Sequence, residues 1–261
     1  MAYQTLEVVE DGTLTTVWLN RPEVRNAFNE TMISELTAVF KALDTNAQVR
    51  AVVLAARGVA FCAGADLNWM KKMATYSHAE NLADAAGLAA MLRVIHDCSK
   101  PVVARIQGDC YAGGMGLAAV CDIVVAVDSA HFCLSEVKLG LIPATISPYV
   151  IRAMGAQASR RYFLTAERIT APVALQLGLA HEVVPADALD TTVELLLSAL
   201  SKASPNAVTQ AKRLVRDIAG AALSDALVAE TVTRVASIRA SAEGREGMQA
   251  FLEKRPPSWL S

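Results

Sequence analysis

The chain has 261 residues, of which 53% are hydrophobic, and its formal net charge is −2 at pH 7. This length allows one large domain or a domain with an appendage, and the charge excludes a global basic field that would attract nucleic acid or anionic membranes. The apolar excess predicts large buried faces, including faces between subunits. No apolar run approaches the ~18 residues that cross a bilayer, and no signal-peptide pattern opens the sequence, so we expect a cytoplasmic protein.

The cysteines and histidines show no pattern typical of a metal site or a disulfide framework. The five cysteines are odd in number and lack C-x-x-C spacing, which predicts buried, reduced thiols. The four histidines are scattered without metal-ligand spacing, so no metal is predicted.

The first part of the chain predicts strands alternating with a helix. Two strands, over 4–10 and 13–20, are joined through Asp11-Gly12, a hairpin signal. A helix is expected from Asn29 or Glu30 to about residue 44, because its apolar residues recur on one helical face. An apolar strand over 50–56 follows.

The polar segment over 68–83 is mixed in character and allows two interpretations. It predicts either a mobile lid over a site or an ordinary solvated loop. A helix from about 79 to 98 then leads to Pro101.

The stretch over 102–122 is the one around which the chain is organised. A buried strand over 102–106 is followed by Gly113, Gly114 and Gly116, which open an apolar helical run. A strand that turns through glycines into a helix leaves unpaired N–H groups at the positive end of the helix dipole. Such a turn can bind an oxygen that carries or acquires negative charge.

A second stretch, over 61–70, has the same character. It follows the strand over 50–56 and places small residues before a helix start at Asp66. Two such turns predict an oxyanion hole that takes one N–H group from each.

The remaining strands and helices define the fold class. Strands over 123–127 and 131–134, alternating with helices, predict an α/β architecture with parallel pairing. From about Ile151 the pattern is almost wholly helical, with helices over 187–202, 205–219 and 223–240.

Glu136 is the carboxylate that the pattern singles out. It lies between apolar residues soon after a predicted buried strand, where partial desolvation would raise its pKa and suit proton transfer. The residues alone leave two other interpretations open, a surface acid or a partner at a helix N-terminus.

Other signatures point elsewhere or are missing. Residues 114–119 satisfy G-x-G-x-x-A, but they do not lie in the first βαβ unit, which disfavours a dinucleotide site. No G-x-S-x-G elbow of a serine hydrolase is present. The segment over 251–257 combines an aromatic residue with a basic pair, which predicts either contact with a planar base and a phosphate or a solvated terminal helix.

Taken together, these motifs resemble the crotonase family, the enoyl-CoA hydratases and isomerases. The resemblance covers nearly the whole chain and is carried by LNRPEVRNAF (19–28), FCAGADL (61–67), GDCYAGGMGLAAVCDIVVA (108–126), FCLSEVKLGLIP (132–143) and FLEKRPPSW (251–259).

The resemblance implies a crotonase (ClpP-like) fold, α/β in class, made of repeated ββα units. It implies a core over 1–200 and a helical region over 201–261 that covers the site or joins subunits into a trimer or a dimer of trimers. It further implies acyl-CoA thioester substrates, with coenzyme A as part of the substrate, no other cofactor and no metal.

By position, the resemblance implies that Ala65 and Gly113 supply the oxyanion N–H groups and that Glu136 is the general acid/base. Positions expected to bind the substrate or line the CoA channel are Asn26, Ala27, Ala63, Gly64, Asp66, Leu67, Gly114, Gly116, Phe251 and Lys254. The last two are expected at the adenine and its phosphate, in many members across a subunit boundary.

The chain departs from the family pattern at Gly116, where hydratases usually carry a second glutamate. Either Glu136 makes both proton transfers through one water, or another group supplies the missing function. A 1,3-proton shift of a double bond by a single base is a further alternative. A third possibility is a non-catalytic acyl-CoA-binding member.

The segment over 136–155 resembles bacterial 3-methylglutaconyl-CoA hydratases and isohexenylglutaconyl-CoA (γ-carboxygeranoyl-CoA) hydratases. Both act on branched enoyl-CoAs with a distal carboxylate, for which Gly116 is expected to leave room beside Cβ. Candidates to contact that carboxylate are Lys71, Lys72, Tyr76, Tyr111 and Tyr149.

Overall fold

The computed structural model describes residues 3–260, which contain ten strands and ten α-helices. The strands are β1 (Leu6–Asp11), β2 (Leu14–Leu19), β3 (Ala51–Ala56), β4 (Ala60–Cys62), β5 (Val102–Ile106), β6 (Asp109–Tyr111), β7 (Ile123–Val127), β8 (His131–Cys133), β9 (Ile169–Thr170) and β10 (Glu182–Val184). The helices are α1 (Glu30–Thr45), α2 (Leu67–Met73), α3 (His78–Asp97), α4 (Gly113–Val120), α5 (Ser147–Thr165), α6 (Ala171–Gln176), α7 (Leu189–Lys202), α8 (Pro205–Ile218), α9 (Asp225–Ala240) and α10 (Ala242–Leu252).

The strands form two sheets. The larger has six strands in the order β1-β2-β3-β5-β7-β10, and the smaller has four in the order β4-β6-β8-β9. Pairing is parallel except at β1–β2 and β8–β9. All six residues of β3 are buried, as expected for a strand inside a parallel sheet covered on both faces.

The two sheets are built from a repeated ββα unit. In β3–β4–α2, β5–β6–α4 and β7–β8–α5, the first strand joins the large sheet and the second joins the small one before a helix follows. Because β4, β6 and β8 are parallel neighbours, the segments that leave them meet at one edge of the small sheet. Residues 63, 112 and 134, the first ones after these three strands, therefore lie at that edge.

The predicted hairpin, first helix and central strands are confirmed within one or two residues. The hairpin turns at Gly12, whose φ is +59°, and α1 begins after Asn29, whose side chain accepts a hydrogen bond from the N–H of Met32. Both signals are local, because a positive φ favours glycine and an Asn side chain caps a helix start.

Two parts of the sequence-based assignment were wrong. The segment over 68–83 is not an ordinary loop, since it contains α2 and the start of α3, with Ser77 and Glu80 forming a capping box; its role as a lid stays a prediction. After residue 151 the chain is not wholly helical, since β9 and β10 extend the two sheets.

The carboxyl-terminal helices α8–α10 lie on the core and bury little of their own surface. Lys212 of α8 forms an ion pair with Asp122 at 2.6 Å, and the Thr209 hydroxyl donates to the carbonyl of Ser99 at 3.1 Å. Neither α8 nor α9 has a buried residue, and α10 has only Ala250. The boundary between residues 200 and 201 falls inside α7 and stays a prediction.

Two further properties of the described residues bear on the sequence-based expectations. All five cysteines are buried and unpaired, and burial raises the pKa of the Cys62 thiol to about 12. Over residues 3–260, no helix combines the length and apolar character needed to cross a membrane.

Candidate active site

The first glycine turn follows β4 and is fixed to the segment before α1. The N–H of Phe28 donates to the carbonyl of Gly64 at 2.7 Å, and the N–H of Asp66 donates to the carbonyl of Phe28 at 2.8 Å. Ala65 lies between these two bonds in a single parallel bridge with Phe28. Within residues 3–260 the Ala65 N–H meets no hydrogen-bond acceptor, so it is free to bind a ligand oxygen.

Asp66 fixes the helix that follows this turn. Its carboxylate accepts from the N–H groups of Asn68 and Trp69 at the start of α2 and pairs with Arg21 at 2.8 Å. Burial acts to raise the pKa of Asp66, but the hydrogen bonds from Arg21 and from the two N–H groups outweigh it and lower the pKa. Asp66 therefore stays ionised and anchors the turn.

The second glycine turn follows β6 and starts α4. Ala112 has φ 48° and ψ −119°, a conformation that residues with a Cβ rarely adopt, and its N–H donates to the carbonyl of Cys133 at 2.8 Å. Gly113 is the first residue of α4, and no acceptor among residues 3–260 meets its N–H. The free donor thus lies at the positive end of a helix.

The two turns are in contact. Gly64 has φ +96°, and a Cβ there would lie 3.0 Å from the Ala112 Cβ, so glycine is required both by its dihedral angle and by the close approach. Phe28 contacts both turns, because its backbone forms hydrogen bonds with the first turn and its ring lies against Gly113 in the second. The Ala65 and Gly113 amides therefore belong to adjacent turns.

Glu136 follows β8 at the same edge of the small sheet. Cys133 of β8 pairs with Tyr111 of β6, which places the segment leaving β8 beside the one that leads to Gly113. One carboxylate oxygen of Glu136, Oε2, is buried and has no hydrogen-bond partner in the part of the chain that the structure describes. Burial raises the pKa of Glu136, which outweighs the opposing effect of its own backbone N–H.

The burial of Glu136 argues against a surface acid. A surface acid would be solvated, whereas Oε2 of Glu136 is buried and meets no hydrogen-bond partner among residues 3–260. A desolvated carboxylate at the same sheet edge as two free amides is the arrangement expected of a general acid/base.

The expectation that Gly116 leaves room beside the substrate was wrong. Gly116 is buried, and a Cβ there would lie 3.0 Å from the Cβ of Ile146 and closer still to its Cγ2 methyl. The Cδ2 methyl of Leu92 lies 3.5 Å from the same point. The space that a second glutamate would occupy is filled by hydrocarbon.

The predicted channel residues divide by accessibility. Ala63 and Leu67 are exposed, Gly64 and Gly114 are buried within the turns, and Ala27 is buried with its carbonyl accepting from Arg21. Asn26 is completely buried, and its side chain bonds to the backbone of three residues: Arg21, Arg57 and Ala60. The side chain of Asn26 therefore supports the loop and is not available to a ligand.

Phe251 and Lys254 lie at the exposed end of α10. Arg50, which precedes β3, donates to the carbonyl of Trp259 at 3.3 Å, so the segment after α10 is attached near the start of β3. The ring of Trp259 also lies against Gly247 of α10. Phe251 is 82% exposed, and the binding of coenzyme A by Phe251 and Lys254 stays a prediction.

The five candidates for the distal carboxylate have different surroundings. Lys72 pairs with Glu30 at 2.9 Å, and the ring of Tyr149 lies 5.2 Å from that of His96. The Tyr111 hydroxyl is buried and unpartnered among the described residues, beside a cavity of about 360 Å³. Lys71 is exposed and Tyr76 half-buried near the end of α2.

Sequence reasoning did not single out Ile146, Leu92, Arg21 or Phe28. Arg21 and Phe28 lie in the quoted segment over 19–28, so a local signal was present. Ile146 and Leu92 are ordinary apolar residues, and only their contact with Gly116 shows that they belong to the site.

Residues 10–261 match the profile of the enoyl-CoA hydratase/isomerase family. The chain belongs to this family. An enoyl-CoA hydratase from Shewanella pealeana is 42% identical, with 98% of this chain and 96% of that chain covered and a TM-score of 0.95. A Legionella pneumophila chain described as a crotonase is 40% identical, with 98% of each chain covered and a TM-score of 0.93.

Among relatives compared by sequence, the Escherichia coli 2,3-dehydroadipyl-CoA hydratase is 35% identical over 244 residues, which cover 92% of each chain. These comparisons confirm the crotonase fold and the enoyl-CoA hydratase/isomerase family, and family membership implies an acyl-CoA substrate.

Proposed function

We propose that this protein is a hydratase that adds water to a 2-enoyl-CoA that is branched at Cβ and carries a distal carboxylate. The proposed substrates are 3-methylglutaconyl-CoA or isohexenylglutaconyl-CoA, and coenzyme A enters only as part of the substrate. The observation that carries the chemistry is Glu136, whose unpaired, desolvated carboxylate shares an edge of the small sheet with two free amides.

In the proposed reaction, the N–H groups of Ala65 and Gly113 bind the thioester oxygen. They polarise the conjugated system and stabilise the enolate that forms when water attacks Cβ, and one such donor typically lowers the barrier by about 3 kcal/mol. The carboxylate of Glu136 takes a proton from the attacking water and returns a proton to Cα, which gives the 3-hydroxyacyl-CoA.

The lack of a second acid at position 116 supports a role for the substrate in holding the water. We propose that the distal carboxylate of the substrate helps to position it. One relative, the Escherichia coli protein, is named for an enoyl-CoA with a distal carboxylate, 2,3-dehydroadipyl-CoA. A substrate without this group should then lose kcat and not only affinity.

The test compares 3-methylglutaconyl-CoA, isohexenylglutaconyl-CoA and crotonyl-CoA by loss of the conjugated thioester absorbance and by product analysis. We expect a higher kcat for the carboxylated substrates, whereas an equal kcat for crotonyl-CoA would contradict the role of the distal carboxylate. Glu136→Gln should lower kcat by about 10²–10⁴-fold with CoA binding retained. Glu194→Gln, at an exposed glutamate on α7, is the matched control.

A second candidate function is supported by the same single carboxylate. A 1,3-proton shift needs one base that removes a proton from one carbon and returns it to another, and the two amides would stabilise the same enolate. A product with a shifted double bond and no added water would identify an isomerase. Tight binding without turnover of any enoyl-CoA would instead identify a binding protein.

We propose that copies of the chain associate as a trimer or a dimer of trimers through α8–α10. These helices expose apolar side chains, among them Val215, Val232 and Phe251 at 68%, 59% and 82%. Such exposure is typical of an interaction surface. Light scattering on the purified protein should give three or six times the chain mass of 27.7 kDa, and a monomer would refute the proposal.

A further inference from the structure

The side chains of Ile146, just before α5, and Leu92, on α3, form an apolar wall against position 116. Ile146 precedes α5 and is 2% exposed, and Leu92 of α3 is completely buried. Both side chains reach the point where a Cβ at position 116 would lie. Any side chain at that position would therefore displace Ile146, which is branched at Cβ and rotationally stiff.

This wall lies against the first turn of α4, the turn that begins with the free amide of Gly113. Residues three apart on a helix share a face, so position 116 lies one turn below the free amide of Gly113. Each Cα–Cβ bond tilts towards the helix amino terminus, so the space beside Gly116 points towards the oxygen-binding turn. The Ile146 methyl occupies that space.

The wall is also joined to the loop that carries Glu136. The N–H of Leu141 donates to the carbonyl of Glu136 at 3.1 Å, and the chain passes from there through residues 142–145 to Ile146. Ile146 thus stands between the helix that supplies one oxyanion donor and the loop that supplies the acid/base.

We propose that Ile146, supported by Leu92, is a specificity-determining residue that forms an apolar wall beside the β-carbon of the bound acyl group. The inference rests on the proposed function, since it takes the thioester oxygen to lie at Ala65 and Gly113. The wall accepts an alkyl substituent on Cβ and excludes a second carboxylate, because an ionised group placed against it would be desolvated without a partner.

The test measures affinity for saturated acyl-CoA analogues, which bind without being turned over. The series is butanoyl-CoA, 3-methylbutanoyl-CoA and 3,3-dimethylbutanoyl-CoA, whose members differ only in methyl groups on Cβ. The wild type should bind the 3-methyl analogue more tightly than butanoyl-CoA. Ile146→Leu takes the Cγ2 methyl away from Cβ and nearly conserves the volume of the side chain. It should shift the affinity ratio of the dimethyl to the unbranched analogue by about tenfold in favour of the dimethyl one, the low end for one methylene in an apolar pocket.

The matched control is Ile33→Leu on α1, which makes the same exchange at a buried side chain that is not among the nearest neighbours of Gly116. It should leave the affinity ratio unchanged. Ile146→Ala should shift the ratio further, and the Leu variant alone decides if the Ala variant does not fold. An unchanged ratio in folded Ile146→Leu would overturn the proposal.

Failure of the proposed function gives a different result. If the wild type turns over no enoyl-CoA but the ratio shifts in Ile146→Leu and not in Ile33→Leu, the wall stands and the hydratase proposal fails. If the wild type hydrates the branched substrates and Ile146→Leu leaves the ratio unchanged, the hydratase proposal stands and the wall fails.

Discussion

Gly116→Ala tests the packing of Ile146 and Leu92 around position 116. The added methyl would lie 3.0 Å from the Ile146 Cβ and closer to its Cγ2, in a region where both neighbours are buried. Overpacking of this kind costs about 1–3 kcal/mol, while replacing a helical glycine by alanine returns up to about 1 kcal/mol. We therefore expect a net loss of stability of about 1–2 kcal/mol.

The clash should disappear when Ile146 is shortened, so the assay is a double-mutant cycle. In the Ile146→Ala background, Gly116→Ala should be neutral or stabilising, which gives a coupling energy of about 2 kcal/mol. The free energy of unfolding is measured by urea titration at one fixed protein concentration, because association would otherwise shift it. A Gly116→Ala variant as stable as the wild type would refute the packing argument.

Three further predictions concern the catalytic edge and the carboxyl terminus. Burial raises the pKa of Glu136 above its ordinary 4.5, so the carboxylate becomes protonated at a pH above that value. We therefore expect kcat/KM for hydration to fall as the pH drops through the raised pKa. A pH profile that stays flat down to pH 4.5 would contradict this. Arg21→Ala should cost about 2–3 kcal/mol of stability, less than a fully buried pair, and lower kcat, because Asp66 loses its 2.8 Å partner. Asp66→Asn retains a capping side chain and should be the milder change in both urea titration and kcat. Lys254→Ala should raise KM with little effect on kcat. If neighbouring chains complete the site, mixed oligomers of Lys254→Ala and Glu136→Gln subunits should have a low KM again. An unchanged KM in the mixture would contradict completion across subunits.

Much of the candidate site could be predicted from local sequence. Gly113 and Gly64 follow apolar strands, and a glycine turn between a strand and a helix exposes backbone donors whatever the rest of the fold does. Glu136 could be predicted because it lies among apolar residues two positions after Leu134. The alternation of strands and helices predicted the parallel sheet.

The parts that sequence reasoning missed depend on contacts between distant residues. The strands β4, β6 and β8 have three residues each, too few to show a period, and only pairing with one another defines the second sheet. The surroundings of Gly116 are set by Ile146, thirty positions along the chain, and by Leu92 on another helix. The attachment of the segment after α10 near the start of β3 likewise follows from the bond between Arg50 and Trp259, 209 positions apart.

The backbone of Ala112 has a consequence for how the enzyme meets its substrate. A residue with a Cβ held at φ 48° and ψ −119° stores roughly 1–3 kcal/mol, and the bond to the Cys133 carbonyl helps to hold it there. The orientation of the next amide is therefore set while the chain folds, so an arriving thioester oxygen does not have to reorganise it. If that peptide were relaxed, the Gly113 N–H would keep its average position but vary in orientation. The free energy needed to orient it would then be required in each catalytic cycle.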